Sequence, residues 1–198
     1  MRRLSSETAK MKHVKFLDLR FDIDTLKVGL EQVLGICEWH PHHNQIGLTH
    51  SLDRDAAASW HDATGSLWYA WGEDAYDANG ELSKRSVVKT EADFRNFVKE
   101  FNDTVFKDVY ARITSHYSVG RVRLMRIKPK SCMSWHKDAE KRLHIPIITN
   151  PGAMMVIEDT VQHLPADGSC YLTDTTLSHT AFNSGLEERI HLVASVLE

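Results

Sequence analysis

The hydrophobic pattern of the first part of the chain predicts one helix and short strands. Apolar residues recur at helical spacing over residues 24–36, which predicts an amphipathic helix there. Residues 13–20 and 44–50 have the shorter, alternating pattern of strands. We therefore expect this part of the chain to contribute both helical and extended segments.

The strongest helical pattern follows Thr90, which has Asp93 three positions later, as in a capping box. Apolar residues then recur at helical spacing, at Phe94, Phe97, Val98, Phe101 and Val105. This pattern predicts a helix that runs to about residue 107 and continues toward 115, with its phenylalanines packed against a sheet.

After Gly120 the pattern changes to short apolar segments that are separated by turn sequences rich in Pro, Gly and Asn. The segments are 121–128, 142–149, 153–158, 169–172, 179–182 and 188–196. Strands at this regular spacing are typical of an all-β sandwich or barrel. The sequence predicts a single α+β, mainly β domain over 1–198, in which the helical part, residues 1–118, supports a β core over 119–198.

Length and composition are those of an ordinary globular domain. The chain has 198 residues, of which 42% are hydrophobic and 26% charged, so it needs neither disulfides nor metals to hold a core. Three dispersed cysteines favour a reducing compartment over a disulfide scaffold. Without a long apolar run or a secretory signal, we expect a cytoplasmic protein that does not enter a membrane. The oligomeric state does not follow from the sequence.

Charge is unevenly distributed although the net charge is only −3. The stretch 121–142 is strongly basic, which indicates either a solvated, salt-bridged surface or a positive pocket for an anionic small molecule. A nucleic-acid partner is not expected, because the chain as a whole is acidic. The segment 51–86 is irregular and rich in aromatic residues, and it is either a substrate-facing lid or a loop anchored to the core.

The candidate chemistry lies in the predicted β half. His136 and Asp138 are two positions apart, so both project from the same face of an extended segment. With His179 they make the two-histidine, one-carboxylate set that holds non-haem Fe(II) and leaves positions open for a keto acid and O₂. Arg189, ten residues after His179, would bind the far carboxylate of that keto acid as a bidentate fork.

A family resemblance rests on these same residues. The stretch RLMRIKPKSCMSWHKDAEKRLHIPIIT (123–149), followed by LSHTAFNSGLEERIHLV (177–193), resembles the aspartyl/asparaginyl β-hydroxylases. That family is a branch of the 2-oxoglutarate- and Fe(II)-dependent oxygenases, which also include bacterial proline hydroxylases. The resemblance implies a double-stranded β-helix, a cupin-like jelly roll supported here by N-terminal helices, with a metal in its mouth.

The resemblance also implies a role for each matching residue of the metal centre. His136 and His179 match the iron-binding histidines, and Asp138 completes the triad, as in the proline hydroxylases. Each of the three would therefore be a catalytic metal ligand.

Three further positions match the residues that bind 2-oxoglutarate. Arg142 and His144 match the pair that contacts its keto-acid end, and Arg189 matches the arginine that binds its distal carboxylate. Met125 stands where the family has a serine that assists Arg189, so this part of the anchor differs from the family pattern.

The implied activity is hydroxylation of an amino-acid residue, free or in a peptide or protein, such as Pro, Asp or Asn. Fe(II), 2-oxoglutarate and O₂ would be required, and succinate and CO₂ released. Two alternatives stay open: a cupin-type metal hydrolase or isomerase, and a non-catalytic metal-binding module. A separate metal centre at His40, His42 and His43, with His50 or His61 nearby, is a further possibility.

Overall fold

The elements described below come from a computed structural model, which describes residues 12–51, 59–65, 67 and 89–197. Most of the predicted lid over 51–86 lies outside the described residues. The elements in chain order are β1 (Val14–Arg20), α1 (Ile23–Ile36), β2 (Gln45–Gly47), β3 (Thr49–His50), β4 (Asn96–Phe97), α2 (Val105–Thr114), β5 (Val119–Ile127), β6 (Ser131–Cys132), β7 (Arg142–Ile148), β8 (Ala153–Ile157), β9 (Thr160–Gln162), β10 (Ser169–Thr173), β11 (His179–Asn183) and β12 (Arg189–Val196). Neither helix is long and apolar enough to cross a membrane.

Strands β5 to β12 are divided between two antiparallel sheets. The larger sheet has the order β1-β10-β7-β12-β5-β2, and the smaller one has the order β6-β11-β8-β9. This division of eight strands, with four in each sheet, is the double-stranded β-helix that the family resemblance implies. The predicted strands of this half are confirmed, while the short strands β6 and β9 were missed. Strands β1 and β2 extend the larger sheet at both edges, so the N-terminal part also contributes strands to the β core.

The two faces of the larger sheet have different surroundings because side chains alternate along each strand. On one face, Leu124, Ile145 and Leu192 belong to the main hydrophobic core, which they share with buried residues of α1 and α2. On the other face, Arg123 and Arg189 line a cavity between the sheets. The helices thus cover one face of the larger sheet and leave the other to the site.

Helix α1 forms where the periodicity predicts it. Asp22 caps its N-terminus, since the Asp22 side chain accepts a hydrogen bond from the Thr25 backbone N–H at 2.7 Å. Leu26, Leu30 and Val33 are buried at helical spacing and pack into the main core.

The prediction of one long helix after Thr90 is wrong. The Asp93 side chain does accept from the Thr90 backbone N–H at 2.6 Å, but it closes only a 3₁₀ turn, and the α-helix begins at Val105. The backbone N–H of Val98 donates instead to the Leu48 carbonyl at 2.9 Å, and β4 pairs with β3. Tertiary pairing with a distant strand therefore overrides the local helical pattern.

One aromatic residue of the predicted lid is described. Trp60 packs against the main core, with its ring 6.0 Å from that of Phe101. For Trp60, a loop anchored to the core is therefore a better interpretation than a substrate-facing lid. Trp68, Tyr69, Trp71 and Tyr76 lie outside the described residues.

Candidate active site

The three predicted metal ligands come together at the mouth of the β-helix. His136 and His179 form an antiparallel bridge in which each backbone N–H donates to the other's carbonyl, at 3.0 and 2.9 Å. The Asp138 backbone N–H donates to the Thr175 carbonyl at 2.9 Å, which fixes the turn that carries the carboxylate. One ligand atom from each side chain lies within 4.8 Å of the other two. Two imidazoles and a carboxylate at this separation suit a divalent metal such as Fe(II).

Backbone carbonyls orient both imidazoles. The Nδ1 atoms of His136 and His179 lie 2.7 Å and 3.0 Å from the carbonyl oxygens of Ser134 and Leu177. Each Nδ1 is therefore the protonated donor, which leaves Nε2 as the free electron pair for a metal. Burial lowers the pKa of His179, so this residue is neutral near pH 7, as a ligand must be.

Asp138 is held by an arginine. The Nε of Arg142 donates to Asp138 Oδ2 at 2.9 Å. Burial opposes ionisation of the Asp138 carboxyl, but the attraction of Arg142 outweighs it and lowers the pKa of Asp138. The carboxylate is therefore charged and oriented before any metal binds.

A buried carboxylate that the sequence analysis missed organises this arginine. Glu91 accepts two hydrogen bonds from Arg121, at 2.7 and 2.6 Å, and one from Arg142 at 3.0 Å. The Ser195 hydroxyl donates to the same carboxylate at 2.7 Å and is itself bonded to Arg142 Nη1. Each of the three guanidinium nitrogens of Arg142 thus has an oxygen partner, and Glu91 links the turn after the predicted lid to three strands of the larger sheet.

Glycine makes this arrangement possible. A Cβ at position 120 would lie 2.3 Å from the Glu91 carbonyl oxygen, so only glycine lets the turn approach β5 this closely.

In the sequence, Glu91 stood inside the capping pattern of Thr90 and Asp93, and that pattern was its only signal. Nothing in the spacing connected it with arginines 30 and 51 residues away.

The metal group opens into a cavity of about 430 Å³ between the two sheets, which is within the size range of small-ligand sites. Arg189 lines this cavity and is 4% exposed. Among the described residues, Arg189 has no hydrogen-bond or ion-pair partner, and burial alone lowers its pKa to about 10. A buried, unpaired guanidinium is costly unless an anion binds to it.

His144 also presents an unused polar atom to the cavity. Its Nε2 is buried and has no hydrogen-bond partner within the described part of the chain, while its Nδ1 lies 3.4 Å from Nδ1 of His191. Burial lowers the pKa of both histidines well below the ordinary value. Together, Arg189 and His144 give the cavity lining a cation without a carboxylate partner and a ring nitrogen without a hydrogen-bond partner among the described residues.

The basic stretch of the sequence forms part of this cavity. Arg121, Arg123 and Arg142 are all buried and line it. These three arginines therefore do not lie on a solvated surface, although Arg121 and Arg142 form salt bridges with Glu91. Arg126, on the same strand, instead contacts Glu188 at 3.2 Å.

A separate histidine cluster lies at residues 40–43. The ring of His40 stacks on that of His43 at 4.4 Å and lies 5.0 Å from that of His61. The Nδ1 of His40 accepts hydrogen bonds from the backbone N–H groups of His42 and His43. In the described ranges, His136, Asp138 and His179 are the only group of three ligand side chains close enough to hold a metal. The second metal centre is therefore not supported there.

Comparisons with known proteins identify one matching family. The family model of aspartyl/asparaginyl beta-hydroxylase matches residues 48–198. No curated protein matches the chain.

Several solved structures resemble it. A viral collagen prolyl hydroxylase from Paramecium bursaria Chlorella virus-1, in complex with 2-oxoglutarate, is 11% identical, with a TM-score of 0.49 over 93% of this chain and 96% of that one. A 2OG-Fe(II) oxygenase family protein from Burkholderia pseudomallei is 21% identical with a TM-score of 0.36; the match covers 50% of this chain and about half, 52%, of that one. A cupin domain from Bordetella pertussis is 16% identical, with a TM-score of 0.35 over 41% of this chain and 84% of that one.

Proposed function

Because the chain belongs to the aspartyl/asparaginyl β-hydroxylase family, we propose that it is a 2-oxoglutarate- and Fe(II)-dependent dioxygenase that hydroxylates an amino-acid residue. The substrate is free or part of a peptide or protein, with Pro, Asp and Asn as the first candidates. One observation carries the proposal: a His-Asp-His group and a buried arginine without a partner among the described residues share one cavity.

His136, Asp138 and His179 hold the metal in this proposal. Bound there with 2-oxoglutarate and O₂, Fe(II) supplies the oxidising chemistry that converts a C–H bond to C–OH and releases succinate and CO₂. The residues of the chain bind, orient and exclude water. The Nδ1 hydrogen bonds of both histidines fix the direction of their Nε2 lone pairs.

When 2-oxoglutarate is bound, the Arg189 guanidinium would hold its distal carboxylate, and His144 Nε2 would contact its keto-acid end. Arg142, which the resemblance assigns to the keto-acid end, has an acceptor for each of its nitrogens. We therefore propose that the main role of Arg142 is to hold Asp138. Arg142 then affects the co-substrate only indirectly, through Asp138.

The remaining expectations are part of the same proposal. Residues 1–198 form a single oxygenase domain, in which 1–118 support the core and face the substrate and 119–198 carry the catalytic β core. The protein acts in the cytoplasm, without a nucleic-acid or membrane partner. Three free cysteines in the described part of the chain agree with a reducing compartment.

The test is iron-dependent turnover. The purified protein is loaded with Fe(II) and given 2-oxoglutarate, O₂ and a panel of free amino acids and short peptides, and succinate is measured. We expect succinate formation that needs iron, is stimulated by at least one compound and is abolished in His179→Ala. His116→Ala, which removes an exposed histidine, is the matched control and should retain activity.

Two outcomes would contradict the proposal. In one, no iron-dependent consumption of 2-oxoglutarate occurs with any compound. In the other, His179→Ala turns over as the unsubstituted protein does. Activity with Zn(II) or Mn(II) and no need for 2-oxoglutarate would favour the cupin-type hydrolase or isomerase instead.

A further inference from the structure

A second buried arginine in the cavity lacks a carboxylate partner. Arg123 is 5% exposed and lines the cavity. Its Nη1 donates to the Gln45 side-chain oxygen and to the Gly65 carbonyl, both at 3.2 Å. Its Nε is buried without any hydrogen-bond partner among the described residues. The Nη1 of Arg123 thus has two acceptors, whereas its Nε, on the other edge of the guanidinium, has none among the described residues.

The neighbouring arginine shows what such an edge is suited to bind. Arg121, on the same face of β5, also places Nη1 against the Gly65 carbonyl, at 2.9 Å. Its Nε and Nη2 then bind both oxygens of Glu91, at 2.7 and 2.6 Å. Arg123 has the same anchor but no carboxylate on the corresponding edge. A carboxylate from outside the chain would complete an equivalent bidentate pair.

Among the described residues, Arg123 and Arg189 are the buried arginines of the cavity that have no carboxylate partner. Arg121 and Arg142 pair with Glu91, Arg142 also pairs with Asp138, and Glu140 lies 3.9 Å from Arg142. Lys89 lies 3.7 Å from Asp62. Under the proposed function, Arg189 pairs with the distal carboxylate of 2-oxoglutarate. In the described part of the chain, no acidic residue lies within ion-pair distance of Arg123, and its burial lowers its pKa well below the ordinary value.

The two unpaired arginines are too far apart along the sheet to have the same role. Arg123 pairs in register with Val193, which is four positions along β12 from Arg189. Four residues of a strand span about 13 Å. The keto-acid end of 2-oxoglutarate belongs at the metal and its other end at Arg189. The anion at Arg123 must therefore belong to another molecule.

We propose that Arg123 binds a carboxylate of the substrate, so that the substrate is a carboxylate-bearing compound: a free amino acid or an acidic side chain. The inference rests on the proposed function and deepens it. It disfavours neutral prolyl and asparaginyl residues inside a polypeptide, which have no carboxylate to offer. Gln45, which positions Arg123, precedes the family-matched residues 48–198, so this part of the subsite comes from outside the matched segment.

Binding, measured apart from turnover, tests the assignment. The protein is loaded with Mn(II) and 2-oxoglutarate without O₂. Affinities are measured calorimetrically for free amino acids, for their C-terminal amides, and for capped aspartyl, asparaginyl and prolyl peptides. We expect at least one carboxylate to bind, and its matched amide to bind at least about 30-fold more weakly, as for removal of a partner from a buried charge pair.

Substitutions then assign the effect to Arg123. Arg123→Gln should remove the preference for the carboxylate over its amide, and Arg123→Lys, which keeps the charge, should restore part of it. The affinities for Mn(II) and 2-oxoglutarate should stay within about twofold. Arg126→Gln makes the same change on the same strand, at a residue paired with Glu188, and should leave all affinities unchanged.

The outcomes separate this inference from the proposed function. Amides that bind as well as carboxylates, no carboxylate that binds, or an Arg123→Gln variant that keeps the preference would overturn the inference alone. Weaker 2-oxoglutarate binding in Arg123→Gln would also overturn it, because the arginine would then serve the co-substrate. Failure of the unsubstituted protein to bind 2-oxoglutarate in the presence of metal would contradict the proposed function itself.

Discussion

Replacing Glu91 with glutamine tests the charge network that supports the metal ligands. The side chain is 4% exposed and accepts hydrogen bonds from Arg121, Arg142 and Ser195. Glutamine has nearly the same shape but no charge, and its amide directs N–H groups toward guanidinium donors. The substitution therefore leaves buried arginine charge without its counter-charge while changing the packing little.

The size of the effect follows from this burial. Removing one partner of a buried pair costs about 3–5 kcal/mol. For a chain of this length, each kcal/mol lowers the melting temperature by about 2–4 °C, so Glu91→Gln should lower it by roughly 6–20 °C. Glu140, 3.9 Å from Arg142, offers a substitute carboxylate and favours the lower part of that range.

Thermal unfolding at pH 7 measures the effect, with Glu188→Gln as the control. Glu188 also contacts an arginine, at 3.2 Å, but its side chain is 40% exposed, so its loss should cost less than about 1 kcal/mol. Equal melting temperatures for the two variants, or a decrease below about 2 °C for Glu91→Gln, would refute the reasoning about burial.

The same network makes a prediction about pH. Burial opposes ionisation of Glu91, but its arginine partners outweigh burial and lower its pKa. A lowered folded-state pKa stabilises the fold above the unfolded pKa of about 4.3, and this stabilisation is lost as pH falls below it. The difference in stability between the unsubstituted protein and Glu91→Gln should therefore shrink below about pH 4; a difference that stays constant would contradict the assignment.

Three further predictions concern other parts of the molecule. Arg189→Gln should raise the KM for 2-oxoglutarate at least about 30-fold with iron binding unchanged, and an unchanged KM would remove Arg189 from the co-substrate site. Asp22→Ala should lower the free energy of unfolding by about 1 kcal/mol, because it removes the acceptor of the Thr25 backbone N–H. The melting temperature should fall while turnover stays normal, and an unchanged melting temperature would mean that the cap is not stabilising. Gly168→Ala should destabilise the fold by more than about 1 kcal/mol, because φ is +84° and a Cβ would lie 1.8 Å from the Phe21 carbonyl oxygen; an unchanged unfolding midpoint in urea would contradict this.

The sequence predicted those features whose signals are local. The strands of the β core follow from short apolar segments between turns, and α1 follows from one periodic face and one cap. His136 and Asp138 share a face because they are two positions apart. His179, in another predicted strand, completes the two-histidine, one-carboxylate set. These residues do converge in the structure.

Features that depend on distant partners could not be predicted in this way. The helix expected after Thr90 failed because Val98 bonds to Leu48, a contact that no local periodicity records. Beyond the capping pattern around it, Glu91 had no signal that could connect it with its arginine partners, because these lie on β5 and β7. The basic stretch 121–142 indicated a positive pocket as one of two possibilities, and only the strand register decided which arginines face it.

The most direct test of the central claim is the binding of Fe(II) without O₂, in the presence of 2-oxoglutarate. The account predicts a single Fe(II) per chain for the unsubstituted protein and none for His179→Ala, since two of the three ligands do not hold the metal firmly. An unsubstituted protein that binds no iron, or a His179→Ala variant that binds the same amount, would contradict it.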